Sequence, residues 1–211
     1  MTSEGLPLVL ASGSPRRREL LQRLGLRLRT SPAELEEAPG PGESPPAYAM
    51  RLARAKATAV ARKCSDPILA ADTVVVLGSK ILGKPEDRHA ADAMLRGLAA
   101  RSHVVLTATA VQWGSRQAHD LCCARVHFRP LSEEILAWYL ATGEWTDKAG
   151  GYAVQGKGAL LVERVEGNVQ GVVGLPLSRL PALLAKVGLR LRHLDGRLVL
   201  SPRAESPHPV R

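Results

Sequence analysis

The run from Ile68 to Leu77 constrains this chain most, because it is typical of a buried β-strand yet carries a carboxylate near its middle. Asp72 stands beside Thr73, and every other residue of the run is apolar. A buried unpaired carboxylate is energetically expensive, so Asp72 must be paired, bound to a metal or placed at an open strand end. Lys84 and Lys148 are its expected basic partners. A structural ion pair would satisfy Asp72 as well as a functional site would.

Strand and helix patterns are mixed along the chain without strict alternation, which favours a mixed sheet flanked by helices. Short apolar or alternating runs predict strands over residues 8–11, 26–30, 68–77, 81–82, 103–111, 118–128, 159–165 and 170–173. Apolar residues at helical spacing predict helices over about 15–24, 45–64, 90–98, 133–140 and 175–187. The fold class that follows is α/β.

The net charge of +9 is concentrated near the two ends of the chain. Residues 1–30 and residues 186–211 each hold six basic and two acidic groups, so the stretch between them is nearly neutral. A basic chain can bind nucleic acid, but aromatic residues make up only 3% of this one and provide few platforms for stacking bases. We expect one domain over residues 1–190, a flexible basic Pro- and Arg-rich tail over 191–211, and no specific nucleic-acid partner.

Cysteine usage and the first residues predict a reduced, cytoplasmic protein. Cys64 stands alone and Cys122 adjoins Cys123, a pattern with neither a disulfide framework nor zinc-ligand spacing. The first seven residues do not resemble a secretory signal, and no run of about 18 apolar residues predicts a membrane span. Three strand histidines share no ligand spacing and are expected on strand surfaces: His103, His119 and His127.

The segment from Ser12 to Arg17 is a candidate anion site. It follows an apolar strand and opens a helix, and it supplies the hydroxyls of Ser12 and Ser14 and the guanidinium groups of Arg16 and Arg17. Helix N-termini attract anions through free N–H groups, and arginine binds phosphate with two parallel hydrogen bonds. A capped helix with a solvated basic face is an equally open alternative.

Other candidate residues combine charge with an unusual position. Lys56 shares the apolar face of its helix, so its ammonium either extends to solvent or points into a cleft. Lys84 and Lys148 lie beside glycines, which let the backbone approach a ligand closely. Glu37 belongs to an acidic loop, and Gln155 offers both a donor and an acceptor, as recognition of a base edge requires.

Six ordered blocks of this sequence together resemble the Maf family of nucleoside triphosphate pyrophosphatases, over about residues 8–188. The blocks are Leu10–Arg17, Arg51–Ala57, Ala71–Thr73, Gly83–Pro85, Asp147–Gly156 and Val172–Pro176. The resemblance implies an ITPase-like α/β fold in which a mixed twisted sheet and its helices form two lobes with a central cleft. It also implies a homodimer and hydrolysis of a nucleoside triphosphate to the monophosphate and pyrophosphate, with Mg²⁺ or Mn²⁺.

The resemblance also implies roles for individual residues. Asp72 would be the proton acceptor, and Glu37 is our candidate to join it in binding the metal. The candidate substrate-binding residues are Ser12, Ser14, Arg16, Arg17, Lys56, Lys84 and Lys148. Arg16, Thr73 and Gln155 match the branch acting on dTTP and UTP, whereas the branch acting on 7-methyl-GTP carries a large aromatic residue, a glutamine and a glutamate there.

Two other functions remain open from the sequence. One is hydrolysis of modified nucleotides by the same chemistry, as a sanitation activity. The other is a basic nucleic-acid-binding or division-regulating protein, which the composition alone supports.

Overall fold

The structure is a computed structural model that describes residues 5–203 of the protein. Its main sheet has seven strands in the order β2-β1-β3-β5-β6-β7, with β4 paired to β3, and a separate hairpin joins β8 and β9. The strands are β1 Leu8–Leu10, β2 Leu28–Thr30, β3 Ile68–Leu77, β4 Lys80–Leu82, β5 Ser102–Trp113, β6 Arg116–Phe128, β7 Val162–Gly167, β8 Leu189–Leu194 and β9 Arg197–Pro202.

Six α-helices flank these strands in residues 5–203. They are α1 Pro15–Gln22, α2 Pro45–Ala61, α3 Arg88–Leu98, α4 Glu133–Ala141, α5 Val169–Val173 and α6 Leu180–Lys186. Short 3-10 helices cover Ala149–Gly151, Gly156–Leu161 and Leu177–Arg179. None of the helices within this part of the chain combines the length and apolar character needed to cross a bilayer.

The sheet is mixed, and its central strand β3 is paired unevenly along its two edges. β5 runs antiparallel to β3 along almost its whole length. On the opposite edge, β1 is parallel to β3 only at Ile68 and Leu69, and β4 is antiparallel to it only from Val75 to Leu77. Asp72 and Thr73 therefore lie in a gap where no described strand covers that edge.

Helices cover both faces of the sheet, as predicted for the fold class. Successive strand side chains point to opposite faces. Ala70 and Val74 pack with α2 in one core cluster, and Ala71 packs with α1 and α6 in a second. Val75 belongs to a third cluster with α3 and α4. The predicted mixed sheet flanked by helices is confirmed, and Asp72 is placed on the face that α2 covers.

Two predicted strands differ from the structure. Residues 159–161 are the end of a 3-10 helix, so β7 begins only at Val162. Residues 170–173 belong to the helix α5, because the Asn168 side chain accepts a 2.9 Å hydrogen bond from the Gly171 amide and caps its first turn. A segment of four residues is too short for its periodicity to separate strand from helix.

The C-terminal boundary also differs from the expected one. The division predicted after residue 190 falls inside β8, which pairs with β9 from Leu189 to Pro202. Leu189 and Leu200 are buried in the core, and the Leu6 amide donates to the Leu200 carbonyl at 2.8 Å. Apolar residues alternating with arginines give this segment a buried face and thus a fixed place. The rest of the predicted tail, residues 204–211, lies outside the described part of the chain.

His103 is not on the surface, in contrast to the prediction. Only 2% of the residue is exposed, and its Nε2 lies 2.6 Å from the Tyr152 hydroxyl. Its ring also packs edge-on against Phe128. Burial lowers the pKa of His103 to about 4. His119 is exposed as expected, while His127 is half-buried.

The buried imidazole should make stability depend on pH. The unfolded chain protonates His103 below its ordinary pKa of 6.5, and the folded chain does so only below about 4. Within that window the unfolded state binds the extra proton, so stability falls as the pH falls. We expect His103 to account for a loss of about 2 kcal/mol in unfolding free energy between pH 7 and pH 5, measured by chemical denaturation. His103→Gln should flatten this slope, and His119→Gln should not; equal slopes in all three proteins would contradict the assignment.

Candidate active site

A cleft of about 520 Å³ opens at the gap along the edge of β3. The loop between β1 and α1, Lys56 of α2, the edge of β3, Lys84 and the segment 147–155 all contribute to its lining. All of the predicted site residues line this cleft, although their roles stay predictions: Ser12, Ser14, Arg16, Arg17, Glu37, Lys56, Asp72, Thr73, Lys84, Lys148 and Gln155. Residues up to 143 positions apart in sequence are therefore brought to one cavity, from position 12 to position 155.

The expected basic partners of Asp72 are wrong, because Lys56 pairs with it instead of Lys84 or Lys148. The Lys56 Nζ lies 2.7 Å from Asp72 Oδ1 and 2.6 Å from Glu37 Oε1. Lys56 and Asp72 are both buried, whereas the Glu37 side chain is 44% exposed. The α2 helix packs directly on β3, so a lysine on its apolar face points at the one carboxylate of that strand. Of the two positions open to Lys56, the structure has the one that points into the cleft.

Asp72 and Glu37 offer a donor set suited to a divalent cation. Each carboxylate contacts the Lys56 ammonium through one of its two oxygens, and carboxylate oxygens are preferred ligands of Mg²⁺ and Mn²⁺. No group of three or more His, Cys, Asp or Glu side chains suited to a metal occurs within residues 5–203. Mg²⁺ is commonly held by one or two carboxylates, with substrate phosphates and water completing its shell. The residues present therefore fit a metal that binds together with a phosphate ligand.

Arg17 fastens the loop after β1 to the rest of the site. Its guanidinium donates to the Gly174 carbonyl at 2.9 Å, to the Ser12 hydroxyl at 2.9 Å and to the Thr73 hydroxyl at 3.0 Å. Burial lowers the pKa of Arg17, and the charge of Asp72 opposes that shift. Because three of its donor groups are already engaged, Arg17 acts first as a support for the loop.

The Thr73 hydroxyl belongs to a chain of hydrogen bonds with a fixed direction. Thr107 donates to the Gly171 carbonyl at 2.8 Å, which uses its only hydroxyl proton. The 2.9 Å contact between Thr73 and Thr107 must then be donated by Thr73, which accepts from Arg17. Thr73 therefore links the loop after β1 to α5. This is a supporting position that the sequence did not reveal.

Arg16 interacts electrostatically with groups other than those that Arg17 contacts. Burial lowers the pKa of the Arg16 guanidinium, and the nearby Tyr139 and Glu144 oppose that shift. Burial also lowers the pKa of Lys148, and the like charge of Arg16 lowers it further. Both cations line the cleft and repel each other, so an anion bound there would relieve that repulsion.

The N-terminus of α1 adds uncharged hydrogen-bond donors to the cationic side chains that line the cleft. Ser14 is the N-cap residue, but its side chain makes no capping hydrogen bond. Pro15 follows it and has no amide proton to satisfy. The amides of the first turn are therefore left for a ligand at the cleft, as in many phosphate-binding helices.

Sequence reasoning missed Glu144, which fixes the segment that carries Gln155. Its carboxylate accepts hydrogen bonds from the Lys157 amide at 3.0 Å and from the Gly158 amide at 2.8 Å. Tyr152 was also missed; it lines the cleft and is held by His103. The available sequence signal was the glycine-rich stretch around Gln155, because such segments need an external partner for their backbone amides.

Curated proteins of similar sequence are named dTTP/UTP pyrophosphatase. The chain is 48% identical over 192 residues to such a protein of Myxococcus xanthus, which covers 90% of this chain and 97% of that protein. It is 48% identical to that of Thermus thermophilus, with 87% and 96% covered, and 44% identical to that of Chromobacterium violaceum, with 90% and 100% covered.

Two solved structures match part of this chain. One is a HAM1 protein from Coxiella burnetii, with a TM-score of 0.41 and 19% identity, covering 58% of this chain and 73% of that one. The other is a nucleoside-triphosphatase, or dITP/XTP pyrophosphatase, from Mycobacterium abscessus, with a TM-score of 0.39 and 16% identity, covering 60% of this chain and 76% of that one.

A family model settles the relationship suggested by the six sequence blocks. The model described as Maf-like protein matches residues 7–187, a range that contains every residue placed in the cleft above. The resemblance inferred from the sequence is thereby confirmed. The chain belongs to the Maf-like protein family.

Proposed function

We propose that this protein hydrolyses the bond between the α- and β-phosphates of dTTP and UTP, releasing the nucleoside monophosphate and pyrophosphate. The observation that carries the proposal is the pairing of Lys56 with Asp72 and Glu37 inside a cleft whose other charged groups are mainly cationic. A triphosphate carries several negative charges within a small volume, so a site that binds it needs several cationic groups. The names of the similar curated proteins support the same reaction.

The phosphates would occupy the cationic side of the cleft. This side is lined by Arg16, Lys84 and Lys148, of which Lys84 is exposed. The first-turn amides of α1 would also donate hydrogen bonds to the phosphate oxygens. Arg17 would keep that loop in place through its bonds to Ser12 and Thr73.

Asp72 would accept the proton of the attacking water. As the water oxygen bonds to the α-phosphorus, its proton passes to the Asp72 carboxylate and the bond to the bridging oxygen breaks, so that pyrophosphate leaves. Asp72 and Glu37 would hold a divalent cation, which would neutralise developing charge on the phosphate oxygens. Lys56 would hold the two carboxylates at their separation, since it contacts both.

Base choice would rest on Gln155 and on the position of Arg16. Gln155 lines the cleft at the end of the segment 147–155. Its side-chain amide can donate to a carbonyl and accept from an N–H, the pair that a uracil or thymine edge presents. Thr73 would act through the Arg17 network, since its hydroxyl is already bonded to Arg17 and Thr107.

A sanitation activity on modified nucleotides would use the same phosphate chemistry, and a panel of triphosphates assayed side by side separates it from our proposal. Binding of long nucleic acid would instead be sensitive to salt and would survive Asp72→Asn. The homodimer implied by the family resemblance and the cytoplasmic location predicted from the cysteine usage and the first residues are also proposals. Light scattering on the purified chain tests the dimer.

Replacing Asp72 tests the proton acceptor. Asp72→Asn keeps an oxygen that can accept from Lys56, so the fold should remain while kcat falls by roughly 10²–10⁴-fold, the usual contribution of general-base catalysis. Pyrophosphate release from dTTP with Mg²⁺ measures the loss. Asp66→Asn is the matched control, since Asp66 pairs with Arg29 outside the cleft. Near-normal turnover by Asp72→Asn would reject the role.

Replacing Gln155 tests recognition of the base. Gln155→Glu removes the donor and adds a negative charge, so kcat/KM for dTTP and UTP should fall by roughly tenfold or more. Purine triphosphates should lose less. Gln22→Glu, an exposed change at the end of α1, serves as the control. Equal losses for pyrimidine and purine substrates would show that Gln155 does not read the base.

Replacing Glu37 tests the proposed metal pair. Glu37→Gln should raise the Mg²⁺ concentration needed for half-maximal activity by at least about tenfold, the lower end of the effect of losing even an outer-shell partner. Titration of activity with Mg²⁺ gives the value, and EDTA should abolish activity in the parent. The neighbouring exposed Glu36→Gln is the control. An unchanged Mg²⁺ dependence in Glu37→Gln would remove Glu37 from the site.

A further inference from the structure

Resting on the proposed function, we propose that Glu144 is a positioning residue that sets the base preference of the cleft. It would do so by fixing the main chain that carries Gln155, through two hydrogen bonds to the backbone that follows it. No group of Glu144 needs to touch the substrate. The cleft is lined by Gln155 and Arg16, whereas Glu144 lies behind them.

The contact with the Gln155 segment is a fork of two hydrogen bonds. Glu144 Oε2 accepts from the Lys157 amide and Oε1 from the Gly158 amide, so each carboxylate oxygen holds one backbone group. These amides open the 3-10 helix Gly156–Leu161, for which Gln155 is the N-cap residue. The Gln155 side chain makes no capping bond there. Glu144 therefore takes over the capping role and leaves the Gln155 amide group available to a ligand.

Gly156 shows how closely the carboxylate approaches this segment. Its φ is +77°, and a Cβ added there would lie 2.7 Å from Glu144 Oε2. A residue with a side chain would have to displace the carboxylate or change the backbone. Gly156 and Glu144 thus together determine the backbone conformation that follows Gln155.

Glu144 is itself held from the end of α4. Its amide donates to the Thr142 hydroxyl at 3.1 Å, and that hydroxyl donates to the Tyr139 carbonyl at 2.7 Å. The Tyr139 side chain is fully buried. A rigid helix end therefore carries the carboxylate, so the position of α4 is passed to the Gln155 segment through hydrogen bonds.

The same carboxylate also interacts electrostatically with Arg16. Burial lowers the pKa of Arg16, and Tyr139 opposes that shift most, followed by Glu144 and then Glu19. Arg16 and Gln155 are two of the three positions that distinguish the branches in the family resemblance. Glu144 bonds the backbone that follows Gln155 and interacts electrostatically with Arg16. Asp72, Lys56 and Glu37 contact one another without involving Glu144.

This separation predicts a specific kinetic signature. Loss of Glu144 should disturb the base end of the cleft more than the phosphate end. We expect Glu144→Ala to lower the ratio of kcat/KM for dTTP to that for dGTP by about tenfold or more, since two charge-assisted hydrogen bonds are lost. Glu144→Gln should recover part of the ratio, because its amide oxygen can still accept one of the two bonds. Glu19→Gln, which removes a charge near Arg16 but leaves the Gln155 segment bonded, is the matched control.

Three measurements make the outcome decisive: the kcat/KM ratio, the ratio of dissociation constants for non-hydrolysable dTTP and dGTP analogues, and the thermal midpoint of unfolding. A lower midpoint with both ratios unchanged, in Glu144→Gln as in Glu144→Ala, would show a purely structural role and overturn the inference. A parent protein that binds dTTP selectively without hydrolysing it would overturn the proposed function, while the binding ratio would still decide the role of Glu144. A parent that binds no triphosphate would overturn both.

Discussion

Two carboxylates share one buried ammonium in this protein, and the shape of the cleft depends on that sharing. Asp72 alone would be an uncompensated charge in the middle of a core strand. The Lys56 Nζ lies 2.7 Å from Asp72 Oδ1 and compensates that charge. Lys56 also pairs with Glu37, a loop residue whose backbone carbonyl accepts a hydrogen bond from the Tyr48 hydroxyl. Removing one member of a buried pair is far more damaging than replacing both, because the remaining charge has no partner. The packing of α2 on β3 and the chemistry of the site are therefore one constraint.

The cations of the cleft divide into two groups with different duties. Lys56 and Arg17 are buried and already bonded within the protein. Arg16, Lys84 and Lys148 are more accessible and face the cavity. The first group keeps the loops in position before any ligand arrives. The second can then meet an anion without the protein rearranging its core, which lowers the cost of binding.

The sequence predicted the frame of this molecule better than its long-range pairings. The strand around Asp72 was predicted from its apolar run. The burial of Asp72 predicted that it is paired, bound to a metal or placed at an open strand end. The choice of Lys56 over Lys84 or Lys148 was not predicted, because it depends on which helix packs over the strand. His103 was misplaced for a related reason: alternation along a strand does not show that another segment, here the one with Tyr152, covers the outer face. Glu144 was missed because its partners are backbone amides, which leave no pattern in side-chain chemistry.

The gap along the edge of β3 has a consequence beyond catalysis. Unpaired strand edges are sites where a second polypeptide can add a strand and start aggregation. Here β1 ends on one side of the gap and β4 ends on the other, each already bonded to β3. An incoming strand would collide with both before it could form a ladder. The opening therefore admits a small molecule to the centre of the sheet while excluding intermolecular β-structure.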